Sequence, residues 1–127
     1  ADLASGLGNL VSRVLTLAAN LKITKSKATI KNQIIINDIR KEHVKNLNKF
    51  KFNEALINVW ELISWCDKYI EQKRPWEKSQ EQFAVVNDLL FALENIAIML
   101  QPFLPETSEK ILQQLKNKKV KPLFLRL

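Results

Sequence analysis

A carboxamide and a guanidinium stand four residues apart near the start of the chain, on Asn9 and Arg13. On a helix they lie one turn apart and point the same way, so two unlike hydrogen-bonding heads share one patch of surface, a pair suited to recognising a polar ligand. The same spacing describes an ordinary solvated face, and the residues alone leave both readings open. A third residue with chemistry to offer is Trp76. It follows Pro75 at the exit of a predicted helix and is flanked by Lys73, Arg74 and Lys78. An aromatic ring among cations can stack on a nucleic-acid base while its neighbours hold phosphates. A tryptophan tucked over the helix ends would occupy the same position, and that reading also stays open.

Other chemistries are excluded by composition. One cysteine, Cys66, and one histidine, His43, cannot build a disulfide framework, a zinc constellation or a Cys/His or Ser/His/Asp nucleophile system. His43 lies among lysines and is expected to be solvated. Cys66 falls in an apolar line and is expected to be a small core hydrophobe. No run is read as approaching a membrane span of about 18 residues, no signal peptide is visible, and an intracellular, cytoplasmic location is expected.

The net charge of +7 is segregated along the chain. Residues 22–51 hold nine basic and two acidic residues, residues 52–110 five basic and ten acidic, and residues 111–127 five basic and none acidic. A basic segment of this kind attracts a polyanion such as nucleic acid over a Debye length of about 10 Å. Lys22, Lys25, Lys27, Lys73 and Arg74 are the candidate RNA backbone contacts.

The elements that must position these residues read as helices around one core, in a single domain spanning residues 1–127. Asp2 to Leu21 carries Leu3, Leu7, Leu10, Val14, Leu17 and Leu21 on one face, with Asn9 and Arg13 on a polar stripe beside Asp2, Ser5, Thr16 and Asn20. Gly6 and Gly8, the two glycines of the chain, fall inside this helix, where close approach of a neighbouring helix or a frayed start would account for them. Lys22 to Gln33 is expected to be a loop. Ile34 to Ile36 has strand propensity but no partner, and Asn37 or Asp38 is expected to cap a short helix carrying Ile39, Val44, Leu47 and Phe50. Phe52 to Lys73 is the clearest helix, with Phe52, Leu56, Val59, Ile63, Cys66 and Ile70 inward and Trp65 on the far side. It should stop near Arg74, because Pro75 disfavours helical geometry in the residue before it. A fourth helix opens at Ser79 or Gln80 and runs to Leu100. It is apolar over more than half its circumference and is therefore the expected centre of the bundle. Pro105 suits the first turn of a fifth helix, with Ile111, Leu112 and Leu115 inward, and the basic tail from Lys116 to Leu127 is expected to return across the bundle.

With these residues in view, the chain resembles the C-terminal anticodon-binding domain of methionyl-tRNA synthetases. GLGNLVSR at 6–13, KFNEALINVWELI at 51–63, KYIEQKRPWE at 68–77 and LQPFLPETSEKI at 100–111 carry the resemblance in the family's order. It implies an all-α bundle of about five helices, of the class I synthetase anticodon-binding type, that receives a CAU anticodon beside the catalytic domain of the same parent chain. The family's base-reading asparagine and arginine fall on Asn9 and Arg13, and its stacking tryptophan falls on Trp76. The implied partner is methionine tRNA. No cofactor is expected in this chain; ATP and methionine, with zinc as a further candidate, belong to the catalytic part of the parent enzyme. Leu125 stands where the family usually has proline, which puts the docking of the tail in question. KITKSK bears a loose likeness to a lysine-rich ATP loop, but it lies on the wrong side of the first helix to be one. The chain begins with Ala1 rather than methionine and is expected to be a fragment that does not activate an amino acid by itself. A free-standing tRNA-binding module, the corresponding domain of a related class I synthetase and a helical protein-interaction module are the alternatives.

Overall fold

The computed structural model describes residues 3–22 and 28–117, with side chains in the first helix from residue 6 onward. Five helices follow one another among the described residues: α1 (Leu3–Leu21), α2 (Ile30–Asn48), α3 (Phe52–Lys73), α4 (Gln82–Leu100) and α5 (Pro105–Asn117). No strand occurs there, and the all-α expectation holds. The fragment Ile23 to Lys27 and the tail from residue 118 onward, including Leu125, lie outside the described residues.

α4 is the centre, as its apolar circumference foretold, and it packs against each of the other four helices. Leu89, Leu93, Ile96 and Leu100 are fully buried on it, together with Val86, Ala92 and Ala97. Burying each leucine or isoleucine contributes about 1.5 to 3 kcal/mol, so these positions carry much of the fold. Its length and composition would also let α4 cross a membrane, an apolar run that the expectation of none missed. Here the four packed neighbours account for it. The thiol of Cys66 lies in the same core, and burial, reinforced by the charge of Asp67, pushes it far above the ordinary thiol range. It is inert packing, as expected.

Three sequence expectations fail in α2. The end of the expected loop, the stretch Ile34 to Ile36 with its strand propensity and the expected short helix form one continuous helix from Ile30 to Asn48. Ile34 lies within it and is exposed, as are Val44 and, just beyond it, Phe50 at 79%. The buried line instead runs through Asn32, Ile36 and His43, with Ile39 half-buried between them. His43 is therefore not solvated. Its Nδ1–H donates to the carbonyl of Ala55 at 2.7 Å, and its ring meets Phe103 at 6.1 Å between centroids. Phe52, placed inward by its spacing, is also exposed, and its ring meets that of exposed Phe50 edge-on at 6.2 Å between centroids.

Capping explains where α2 begins. Thr29, its N-cap, makes no side-chain bond to its own helix. Asp88 of α4 caps it from outside: Oδ1 accepts the Thr29 backbone N–H at 2.6 Å and Oδ2 accepts the Thr29 hydroxyl at 2.9 Å. The same Oδ2 accepts Asn32 Nδ2 at 2.7 Å and the Tyr69 hydroxyl at 2.7 Å. A carboxylate at the first turn of α2 also opposes the positive end of its dipole. Burial and the bond to Asp88 push the Tyr69 hydroxyl well above the ordinary phenol range. Trp65, expected on the far side of α3, is half-buried and stacks on the Tyr69 ring at 4.8 Å.

The glycines of α1 answer differently from each other. A Cβ on Gly6 would stand 3.9 Å from Trp60 Cζ3, ordinary contact with α3, while one on Gly8 would meet nothing within 4 Å. Close helix approach thus explains neither as a necessity. Gly8→Ala is expected to stabilise the fold by about 0.5 to 1 kcal/mol through helix propensity. The check is the midpoint of urea unfolding, and a fall in that midpoint would contradict the open space beside Gly8.

Candidate nucleic-acid interface

Asn9 and Arg13 are exposed on α1, and both are outside its buried line of Leu7, Leu10, Val14 and Ala18. α1 lies along α3 in the same direction: Gly6 faces Trp60, and Arg13 interacts with Asp67, an advance of seven residues on each helix (6 to 13, 60 to 67). Asp67 and Glu71 lie one turn apart on one stripe of α3, and the helix runs on from them to its C-cap at Arg74. Seven residues separate Asp67 from Arg74, about 10 Å of axial rise. Arg13 thus lies about two turns of α3 before the corner that carries Trp76.

Partial burial holds the Asp67 carboxyl above its ordinary range, the Arg13 guanidinium pulls it back down, and Glu71 pushes it up. The folded state thus disfavours the Asp67 carboxylate. The stability associated with its protonated form is fully present below the unfolded pKa and is lost as pH rises through the folded one. Arg13 lessens that loss. In Arg13→Ala the Asp67 carboxyl should titrate at still higher pH, which carboxyl NMR would read directly; an unmoved titration would dissociate the two groups.

At the corner, α3 ends on Arg74 in the left-handed conformation, φ 48°, with its N–H bonded to Ile70 O at 2.8 Å. Pro75 is buried and its carbonyl accepts Gln82 Nε2 at 2.8 Å, which ties the corner to the first turn of α4. Trp76 is 50% exposed, not tucked over the helix ends. Lys73 pairs with Glu81 at 3.6 Å and Arg74 with Glu77 at 3.1 Å, both at the surface. Exposed pairs of this kind are worth about 0 to 1 kcal/mol, little hindrance to an arriving phosphate. Lys22 is exposed just past the end of α1, at the same end of the bundle, and Lys25 and Lys27 lie outside the described residues. Asp67, Glu77 and Glu81 were missed as partners: the α3 stripe is readable from spacing, but the helix that faces it is not.

Residues 34–125 match the family described as the anticodon-binding domain of tRNA ligase. The chain belongs to that family. A domain of this kind binds tRNA and works as part of a synthetase. This anticodon-binding domain is 37% identical to the methionine–tRNA ligase of Lactococcus lactis, across 90% of the chain and 19% of the relative. Its identity is 35% to that of Clostridium acetobutylicum and 33% to that of Fusobacterium nucleatum, in each case across 90% of the chain and 20% of the relative. The domain thus spans about a fifth of the length of these relatives. The family match starts within α2, whereas Asn9 and Arg13 lie on α1.

Proposed function

We propose that the domain recognises the CAU anticodon of methionine tRNA as part of a methionine–tRNA ligase, with Asn9 and Arg13 reading base edges and Trp76 stacking on a base. The observation that carries this reading is the agreement between identity to methionine–tRNA ligases across 90% of the chain and the exposure of Asn9, Arg13 and Trp76 at the surface of the bundle. Lys22, Lys25, Lys27, Lys73 and Arg74 would contact the RNA backbone. The catalytic domain of the same parent chain would be the second partner, and ATP, methionine and zinc would belong to it. A cytoplasmic location belongs to the same proposal.

The experiment is a titration of the chain with two RNA hairpins, one with CAU in its loop and one with an altered anticodon, at several salt concentrations. The CAU hairpin should bind more tightly, with a salt slope corresponding to several phosphates. Asn9→Ala and Arg13→Ala should each remove about 1 to 3 kcal/mol of that discrimination, as loss of a base-edge contact does. Equal losses on both hairpins would reduce the pair to a solvated face. Salt-insensitive binding without anticodon preference would overturn the proposal.

A further inference from the structure

The corner after α3 holds one arrangement that base stacking by Trp76 does not itself require. Arg74 occupies a left-handed backbone position, φ 48° and ψ 61°, where helices usually end on glycine or asparagine. It is also followed directly by proline, which restricts the preceding residue toward extended conformations. A long charged side chain is therefore carried at a place where a side chain is costly. Its guanidinium does not point freely into solvent. Nε lies 3.1 Å from Glu77 Oε1, and Cζ lies 5.6 Å from the centroid of the Trp76 ring. Glu77 is held in turn, since its backbone N–H donates to the Arg74 carbonyl at 2.9 Å.

We propose that Arg74 is a positioning residue for Trp76: its guanidinium, oriented by Glu77, covers one face of the indole and leaves the other face to a single RNA base. The inference rests on the reading of Trp76 as a stacking platform. It changes the role of Arg74 from a phosphate contact to a group that acts through the tryptophan. A planar cation over an aromatic face is attracted to the ring quadrupole and limits the ring's rotation. Together with the Gln82 tie on Pro75, these contacts set the indole before RNA arrives.

The test uses the chain, the CAU hairpin, and Arg74→Gly, Arg74→Lys, Trp76→Ala and Trp76→Phe. Arg74→Gly relieves the left-handed strain and should melt at or above the parent temperature, yet bind RNA about threefold or more weakly with an unchanged salt slope. Arg74→Lys keeps the charge but not the plane, and should weaken binding likewise. In the absence of RNA, the Trp76 indole N–H resonance, assigned with Trp76→Phe, should move in Arg74→Gly. Parent-like affinity of Arg74→Lys with a flattened salt slope in Arg74→Gly would restore the phosphate contact and overturn the proposal, as would parent-like affinity of Arg74→Gly. An unmoved indole resonance would also overturn it. If Trp76→Ala binds as tightly as the parent while the resonance still moves in Arg74→Gly, the covering of the ring stands and the RNA reading of Trp76 fails instead.

Discussion

Asp88→Ala is expected to destabilise the fold by about 3 to 5 kcal/mol, the largest effect of any polar substitution in the bundle. The carboxylate is buried and accepts four hydrogen bonds, from Thr29 N–H, Thr29 Oγ1, Asn32 Nδ2 and the Tyr69 hydroxyl, at 2.6 to 2.9 Å. Alanine would leave Asn32 with only its contact to the Tyr69 oxygen at 3.1 Å, and would strip the first turn of α2 of the anion that caps it. Each buried donor left without a partner costs about 1 to 3 kcal/mol, and bonds to charged groups lie at the upper end. For a chain of this size the melting midpoint should fall by about 10 to 20 °C. Hydrogen exchange should show the loss first at the N-terminal turns of α2, where the carboxylate acts. Tyr69→Phe removes a donor to Asp88 and an acceptor of Asn32 while keeping the ring that stacks on Trp65, so it should cost about 1 kcal/mol, and its cost should persist in the Asp88→Ala background, where the Tyr69 oxygen is the partner left to Asn32. A midpoint lowered by only a few degrees in Asp88→Ala would mean that water replaces the carboxylate at little cost.

Asp88 also marks where sequence reasoning stopped. α3 and α4 were legible because their buried positions are mostly apolar at helical spacing, with Asn58 the exception in α3 and Asn87, Asp88 and Asn95 the exceptions in α4, and the exit at Arg74 was legible because Pro75 follows it. α2 was not. Its buried line includes Asn32 and His43, which a search for apolar periodicity discards, while Ile30, Ile34 and Val44 face solvent. Both polar members are held by groups from other helices, Asn32 by Asp88 and His43 Nδ1 by the Ala55 carbonyl, while the buried Nε2 of His43 has no hydrogen-bond partner. One signal was available: a carboxylate inside the apolar run VVNDLL has to meet donors from another helix, whichever they are. The candidate interface was legible in its residues and not in its geometry. Spacing put Asn9 and Arg13 on one face of α1 and Trp76 at a corner. That α1 lies beside the Asp67 stripe, and that the corner is fastened by Gln82 and Glu77, depends on packing that no local pattern encodes.

Trp76→Ala is expected to weaken binding of a CAU hairpin by about 1 to 3 kcal/mol, the value of one base stacked on an aromatic ring, and to leave folding nearly unchanged. The sequence allowed two tryptophans at this position, an exposed platform and a buried corner, which differ in what alanine would cost. A buried indole removed from the core costs about 3 to 5 kcal/mol of stability. Trp76 is half exposed, stands outside the core cluster, and has the Arg74 guanidinium over its ring, itself an exposed side chain. The loss on folding should therefore stay below about 1 kcal/mol, the worth of an exposed cation–π contact. Trp60 supplies the opposite case, because it packs against the core beneath Gly6. Trp60→Ala should lower the melting midpoint, and the affinity of the folded fraction for RNA should survive. Trp76→Phe keeps a ring and should retain part of the affinity. Thermal melts and hairpin titrations of these three variants separate the two kinds of tryptophan. A large drop in melting midpoint for Trp76→Ala, with RNA affinity intact in the folded fraction, would return Trp76 to the role of a structural corner.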